Sequence, residues 1–249
     1  MIIVVFSSDR QTIISRSVKI YLTSLSKLEP LLSVWYPLSL VLIYLGTIIS
    51  IAEGMNRSSS NDAEFTRKVV HIGSGNVILI AWWFKLPLWI LLVASFVASF
   101  ITLISYFLPI LPSINSVERK SLGTFFYAVS IGILTYWFWT INKHQYAVIG
   151  ILIMAWGDGM AAIIGKKFGR HHYQILGIKK SWEGSLTMMG LSFLISSIIL
   201  FFTGEPINLI LISSLLVSVI ATGLETFSKW GIDNLTVPLS SSIVAFYFT

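Results

Sequence analysis

Eight apolar runs follow one another along this chain, each near the roughly 20 residues that carry a helix across about 30 Å of hydrocarbon. They fall at Tyr36–Ala52, Val69–Phe84, Leu86–Leu108, Leu122–Ile141, Tyr146–Gly165, Ser185–Phe202, Ile207–Gly223 and Ile232–Phe248. In hydrocarbon every backbone N–H and C=O must be satisfied within the protein, so helices are the form such runs take. The chain reads as an all-α polytopic membrane protein with about seven or eight transmembrane helices. Only 11% of its 249 residues are charged, against about 25% in a soluble domain. The runs consume the length, which leaves residues 31–249 as a single membrane-embedded domain with its chemistry on loops and helix ends. The chain has no cysteine, which excludes disulfides, thiolate metal sites and cysteine nucleophiles.

Two spans carry internal irregularities. The second contains His71 and the run Gly73-Ser74-Gly75, and the last contains Pro238 followed by Ser240 to Ser242. Both fit broken or re-entrant helices, which membranes tolerate where the backbone lines a protein-enclosed cavity. Residues 1–30 differ: a short apolar start at Ile2 to Phe6 precedes Arg10, Arg16 and Lys19 among serines and threonines. That pattern suits a targeting or interfacial segment rather than a span.

If each run crosses once, the loops alternate sides and the basic residues sort unevenly. One face receives Arg57, Arg67, Lys68, Arg119, Lys120, Lys166, Lys167, Arg170, Lys179, Lys180 and Lys229, while the other receives Lys85 and Lys143. By the positive-inside rule the first face is cytoplasmic, or stromal in a plastid. Most acids lie on that face too, among them Glu53, Asp62, Glu64, Glu118, Asp158, Glu183, Glu225 and Asp233. Membrane insertion explains the basic bias but not the acids gathered with it. The net charge of +6 is thus placed for a lipid surface or a polyphosphate, not for nucleic acid.

Four segments on this face can carry chemistry. The first is Gly157-Asp158-Gly159, running on to Gly165. An acid inside a span costs about 2.5–3.5 kcal/mol on the insertion scale and marks a functional group, here a candidate metal ligand. Its glycine neighbours admit a ligand or a second backbone at close range. Gly157-x-Gly159-x-x-Ala162 mimics a dinucleotide fingerprint but follows no strand. Gly159 to Gly165-Lys166-Lys167 mimics a P-loop but has one residue too many and a lysine where Ser/Thr belongs.

The second segment is Lys179-Lys180-Ser181-Trp182-Glu183-Gly184. The lysines and Ser181 can bind phosphate oxygens while Glu183 holds a cation; equally, Ser181 and Glu183 can simply cap the helix that follows. Third is Glu64-Phe65-Thr66-Arg67-Lys68-Val69-Val70-His71, where Glu64, Lys68 and His71 share a helix face and Arg67 adjoins it. Fourth is Glu225 to Pro238, which adds Glu225, Asp233 and Asn234. The loop Asn115 to Ser121 reads as an interfacial charge cluster, and His171 and His172 as solvated. Carboxylates and cations converging at one surface of an apolar bundle suit a metal–polyphosphate meeting an acceptor dissolved in the bilayer.

These segments resemble the CTP-dependent polyprenol kinase family, which includes phytol, farnesol and dolichol kinases, and within it the phytol kinases of cyanobacteria and plastids. The resemblance is carried, in order, by Glu64 to Gly73, by Gly157-Asp158-Gly159 through Gly165 and Gly169, by Lys180 to Ser185, and by Asp233-Asn234-Leu235-Thr236-Val237-Pro238-Leu239. It implies transfer of the γ-phosphate of CTP, or UTP, to an isoprenoid alcohol with Mg²⁺, phytol above all, for salvage toward tocopherol in a cyanobacterial or plastid membrane. On that resemblance Asp158, Glu183, Glu225 and Asp233 are the candidate catalytic acids, with Asp158 and Glu183 at the metal. Arg67, Lys68, Gly157, Gly159, Gly165, Lys179, Lys180, Ser181 and Asn234 are the candidate nucleotide-binding residues. The stretch from Asp158 to Glu183 also resembles phosphatidate cytidylyltransferases, but their C-terminal Lys-Asp and His-Gly-Gly signature has no counterpart here. A transporter with Asp158 as an ion site is the other alternative, against which stand the one-sided charges and the lack of an inverted repeat.

Overall fold

The computed structural model describes residues 34–55, 63–107, 122–175 and 177–249. The expectations for residues 1–30, Arg57, Asp62 and the loop Asn115 to Ser121 lie outside the described residues. The helices are α1 (Val34–Met55), α2 (Ala63–Gly75), α3 (Val77–Trp83), α4 (Leu88–Phe107), α5 (Gly123–Thr140), α6 (His144–Phe168), α7 (Trp182–Phe202), α8 (Ile207–Thr226) and α9 (Asp233–Tyr247). Five of them, α1, α4, α6, α7 and α8, are long and apolar enough to cross a membrane. The chain is thus an all-α membrane protein, with the irregularity of the second span realised as a break at Asn76 between α2 and α3. The last segment is one continuous helix with Pro238 inside it. Its 15 residues reach about 22 Å, short of the hydrocarbon thickness.

Helix α6 is the axis of the bundle. In its most apolar stretch 72% is buried, against 33% or less in the other four long helices. It packs against α2, α3, α5, α7 and α9, and Ala147, Val148, Ile149, Ile153, Met154 and Ala155 are fully enclosed. The outer helices turn large apolar side chains outward, such as Phe96 and Phe100 on α4 and Leu211 and Leu215 on α8, as a lipid-facing surface does.

Close crossings depend on small residues. At Gly150 a side chain would run into Ser242 and the backbone carbonyl of Pro238 on α9, and Ser242 Oγ donates to the Tyr146 carbonyl at 2.8 Å. Gly150→Ala is therefore expected to destabilise by about 1–3 kcal/mol through overpacking. Gly190→Ala, with open space around it, should be neutral or stabilise by up to about 1 kcal/mol. Thermal unfolding of the two variants in detergent checks the contrast.

The two ends of the bundle differ. At one end α3, α5 and α7 stop in tight turns with left-handed residues at Lys85, Asn142 and Gly204. Each is closed by a bond from the next N–H back across five residues: Leu86 to Ala81, Lys143 to Phe138 and Glu205 to Leu200. The opposite end collects the N-termini of α2, α5, α7 and α9 and the C-termini of α4, α6 and α8. There the chain also makes a two-stranded antiparallel ribbon, β1 (His172–Ile175) and β2 (Ile178–Ser181), turning at Gly177 with φ +80°. A plain loop was expected across this stretch. Four-residue strands are too short to show a period, and only the glycine marks the turn.

Candidate active site

Asp158 lies at the end of a π-helical stretch, Ile153–Asp158, within α6. Such widened turns interrupt the regular ladder and recur at functional sites. Across from it, Lys68 on α2 donates to Asp158 Oδ2. His71, one turn further along α2, has Nε2 3.9 Å from the same oxygen and 3.3 Å from the Met154 carbonyl. Lys68 and Asp158 are both buried. Arg67 Nη2 bonds Glu64 Oε1 at 3.5 Å, so the i, i+3 and i, i+4 pattern of the sequence divides between an interior pair and a pair at the helix entrance.

A second acid–base pair, its carboxylate buried and its lysine half-buried, stands nearby. Lys180, on β2, donates to Glu225 Oε1 and, at 2.7 Å, to the Glu225 carbonyl in the last turn of α8. Asp233 opens α9, where Ser228 Oγ accepts from its N–H at 2.9 Å. It feels the charges of Asp158, Lys68 and Lys180, while Glu225 feels those of Lys180, Asp158 and Asp233. Three carboxylates from three helices thus share one electrostatic neighbourhood with two lysines. Asn234 is engaged locally, its Nδ2 donating to the Gly231 carbonyl and to Asp233 Oδ1, each at 3.2 Å.

The ribbon separates the two adjacent lysines. Neighbours on a strand point to opposite faces, and Lys180 turns to Glu225 while Lys179 is exposed. Ser181 is buried and caps α7, accepting from the Gly184 N–H at 3.2 Å. Glu183 is held outside the cluster: its Oε1 is 2.8 Å from His171 Nδ1 and accepts from the His171 N–H at 3.2 Å. His171, expected to be merely solvated, is exposed yet serves as this clamp.

The glycines of the first segment face protein. A side chain at Gly157 would meet Met188 Sδ on α7 at 2.7 Å, at Gly159 it would meet Ile72 on α2, and at Gly165 it would meet Ser181 Oγ at 2.9 Å. They bring α2 and α7 close enough to α6 for Lys68 and Ser181 to reach their positions.

Three buried polar atoms at this end find no hydrogen-bond partner among the described residues: Thr66 Oγ1, Arg67 Nε and Glu225 Oε2. Leaving such a group unmade costs about 1–3 kcal/mol, and the hydroxyls of Ser192, Ser197, Ser213, Ser214 and Ser241 likewise find no partner among the described residues. Among the described residues no three His, Asp or Glu side chains form a metal cage. A Mg²⁺ ion arriving on a polyphosphate needs only one or two protein carboxylates. Sequence reasoning passed over Thr66 and His171, and also Tyr173, whose hydroxyl lies 2.5 Å from Ser185 Oγ and 3.3 Å from Thr226 Oγ1. Thr66 sits inside a segment already marked by charge, which is the one signal that points to it.

The capping role of Ser181 gives a direct test. Ser181→Ala should cost about 1 kcal/mol of stability and leave the KM for nucleotide within about twofold, as measured by thermal unfolding and initial rates.

Comparison with curated proteins finds "Phytol kinase" of Synechocystis sp., 50% identical over 214 residues, which are 86% of this chain and 92% of that one. "Phytol kinase 1, chloroplastic" of Arabidopsis thaliana is 28% identical over 218 residues, 78% of this chain and 69% of that one. "Probable phytol kinase 2, chloroplastic" of Glycine max is 26% identical over 224 residues, 80% and 70%. No protein-family profile matches the chain. No solved structure matches it.

Proposed function

The chain belongs to the phytol kinase family, and on that premise we propose that it transfers the γ-phosphoryl group of CTP, or of UTP, to phytol with Mg²⁺. The observation that carries the proposal is two acid–base pairs at one end of an apolar bundle, Lys68–Asp158 buried and Lys180–Glu225 partly buried. Each pair is matched to one half of a metal–triphosphate. The carboxylates offer their charge to a cation and the lysines theirs to phosphate oxygens, so the ligand replaces each contact by one of equal sign and kind.

Asp158 and Glu225 would hold Mg²⁺, with Glu183 as the further candidate the sequence names, and the ion would supply charge neutralisation on the transferred group. Lys68, Lys180 and Arg67 orient the phosphates, and Thr66 donates its hydroxyl to them. Asp233 accepts the proton of the alcohol as its oxygen bonds to the γ-phosphorus. The bond from that phosphorus to the bridging β-oxygen breaks, giving phytyl phosphate and the nucleoside diphosphate. The basic residues gathered at this end support a cytoplasmic or stromal placement by the positive-inside rule, and the product suits tocopherol and prenyl-lipid salvage.

Purified protein in lipid nanodiscs tests the proposal, with Mg²⁺, each of four nucleotides, and phytol, geranylgeraniol, farnesol, dolichol or diacylglycerol. Phytol with CTP or UTP should give the highest turnover. No phosphorylated alcohol from any combination overturns it.

A further inference from the structure

Beside Asp233, an open groove of about 300 Å³ runs between Tyr106 at the end of α4, Leu122 and Phe126 at the start of α5, and Trp230 and Ile232 in the turn before α9. Its walls are three aromatic rings and two aliphatic side chains. Trp230 holds φ +60° and Gly231 φ +83°, and a bulky residue in the left-handed region is a strained arrangement of the kind that clusters at ligand clamps. Ile232, in the groove wall, is the residue immediately before Asp233.

We propose that this groove holds the isoprenoid chain of the acceptor alcohol, with the chain lying against Tyr106, Phe126 and Trp230 and the hydroxyl directed to Asp233. The proposal rests on the kinase reading above and adds the acceptor's place to it. An acceptor of this class is a long apolar chain with one polar end, so its site must join an apolar wall to the charge cluster at the bundle end. The groove does so through Ile232 and Asp233. It lies at the end of α4 and the start of α5, beside the exposed Phe107, and an exposed aromatic next to the groove suits a chain that enters from the bilayer. A volume near 300 Å³ falls at the lower edge of ligand pockets, about 300–1,000 Å³, which suits the part of a chain nearest the hydroxyl with the remainder in lipid. Among the described residues the groove is lined by apolar and aromatic side chains alone, with Lys229 Nζ 5.3 Å from the centroid of the Trp230 ring.

Phe126→Ala removes one wall. It should lower kcat/KM for phytol about tenfold, the size expected from losing the burial of an aromatic side chain against the chain. The nucleotide KM, and kcat/KM for the one-isoprene alcohol 3-methyl-2-buten-1-ol, should stay within about twofold of wild type. Independently, a diazirine-bearing isoprenoid alcohol should label Tyr106, Phe126 or Trp230 in the wild-type protein, and phytol should compete the label away. The groove assignment is overturned by equal losses for long and short alcohols, by a raised nucleotide KM, by label only on α1, α7 or α8, or by competition from diacylglycerol as strong as from phytol. If wild-type protein phosphorylates no alcohol at all, the kinase reading itself fails, and the labelling result still decides whether the groove binds the chain.

Discussion

Asp158→Asn is expected to reduce turnover on the order of a thousandfold, the upper range for losing one preorganised charge at a reacting group. Asp158 is buried on the central helix and is approached by Lys68 and His71 at once. Removing its charge takes away the proposed cation ligand and leaves the Lys68 ammonium buried without its carboxylate. Breaking a buried pair from one side costs about 3–5 kcal/mol, so a loss of activity alone would not separate chemistry from folding. The double variant Asp158→Asn/Lys68→Met removes both charges and should recover much of the thermal stability while staying inactive. Near-normal turnover of Asp158→Asn at matched expression and saturating Mg²⁺ would discard the assignment.

Lys180→Ala should raise the nucleotide KM by tenfold or more, on the scale of one charge-assisted contact worth about 1.5–3 kcal/mol. Lys179→Ala should change it less than about twofold. The contrast follows from the ribbon register: Tyr173 pairs with Lys180 and Gln174 with Lys179, so only one of two adjacent lysines faces Glu225. Because Glu225 is left buried without its partner in Lys180→Ala, the companion Lys180→Ala/Glu225→Gln should regain stability without regaining nucleotide affinity. Initial rates against nucleotide concentration at saturating alcohol measure all three variants. Equal effects at 179 and 180 would mean that the ribbon does not orient the phosphate contacts.

Much of this architecture was legible because a bilayer imposes simple arithmetic: run length gives the helices, and an acid inside a run stands out against about twenty apolar neighbours. Asp158 and Asn76's broken helix announced themselves that way, through Gly157-Asp158-Gly159 and Gly73-Ser74-Gly75. The pairings were not legible. Lys68 meets Asp158 across 90 positions and Lys180 meets Glu225 across 45, and charge patterning within one helix says nothing about contacts at that separation. The π-helical stretch leaves no mark of its own: Gly157 and Asp158 at its end stand out, but nothing in Ile153 to Asp158 distinguishes a widened turn from a regular one. The glycines at 157, 159 and 165 carried an ambiguity that spacing cannot resolve. The same missing side chain admits a phosphate or a neighbouring helix, and only the packing of Met188, Ile72 and Ser181 against them decides.

The position of the phosphorus attacked is the central question, because the stretch from Asp158 to Glu183 resembles enzymes that cleave CTP in two different ways. A kinase directs a neutral hydroxyl to the γ-phosphorus, whereas a cytidylyltransferase directs a lipid phosphate to the α-phosphorus. Purified protein in nanodiscs with phytol, Mg²⁺ and CTP labelled at either the γ or the α position separates them. The account predicts that γ-labelled CTP passes its label to phytol, while α-labelled CTP leaves the lipid unlabelled and yields labelled CDP. Label from the α position in the lipid, with pyrophosphate released, would contradict it.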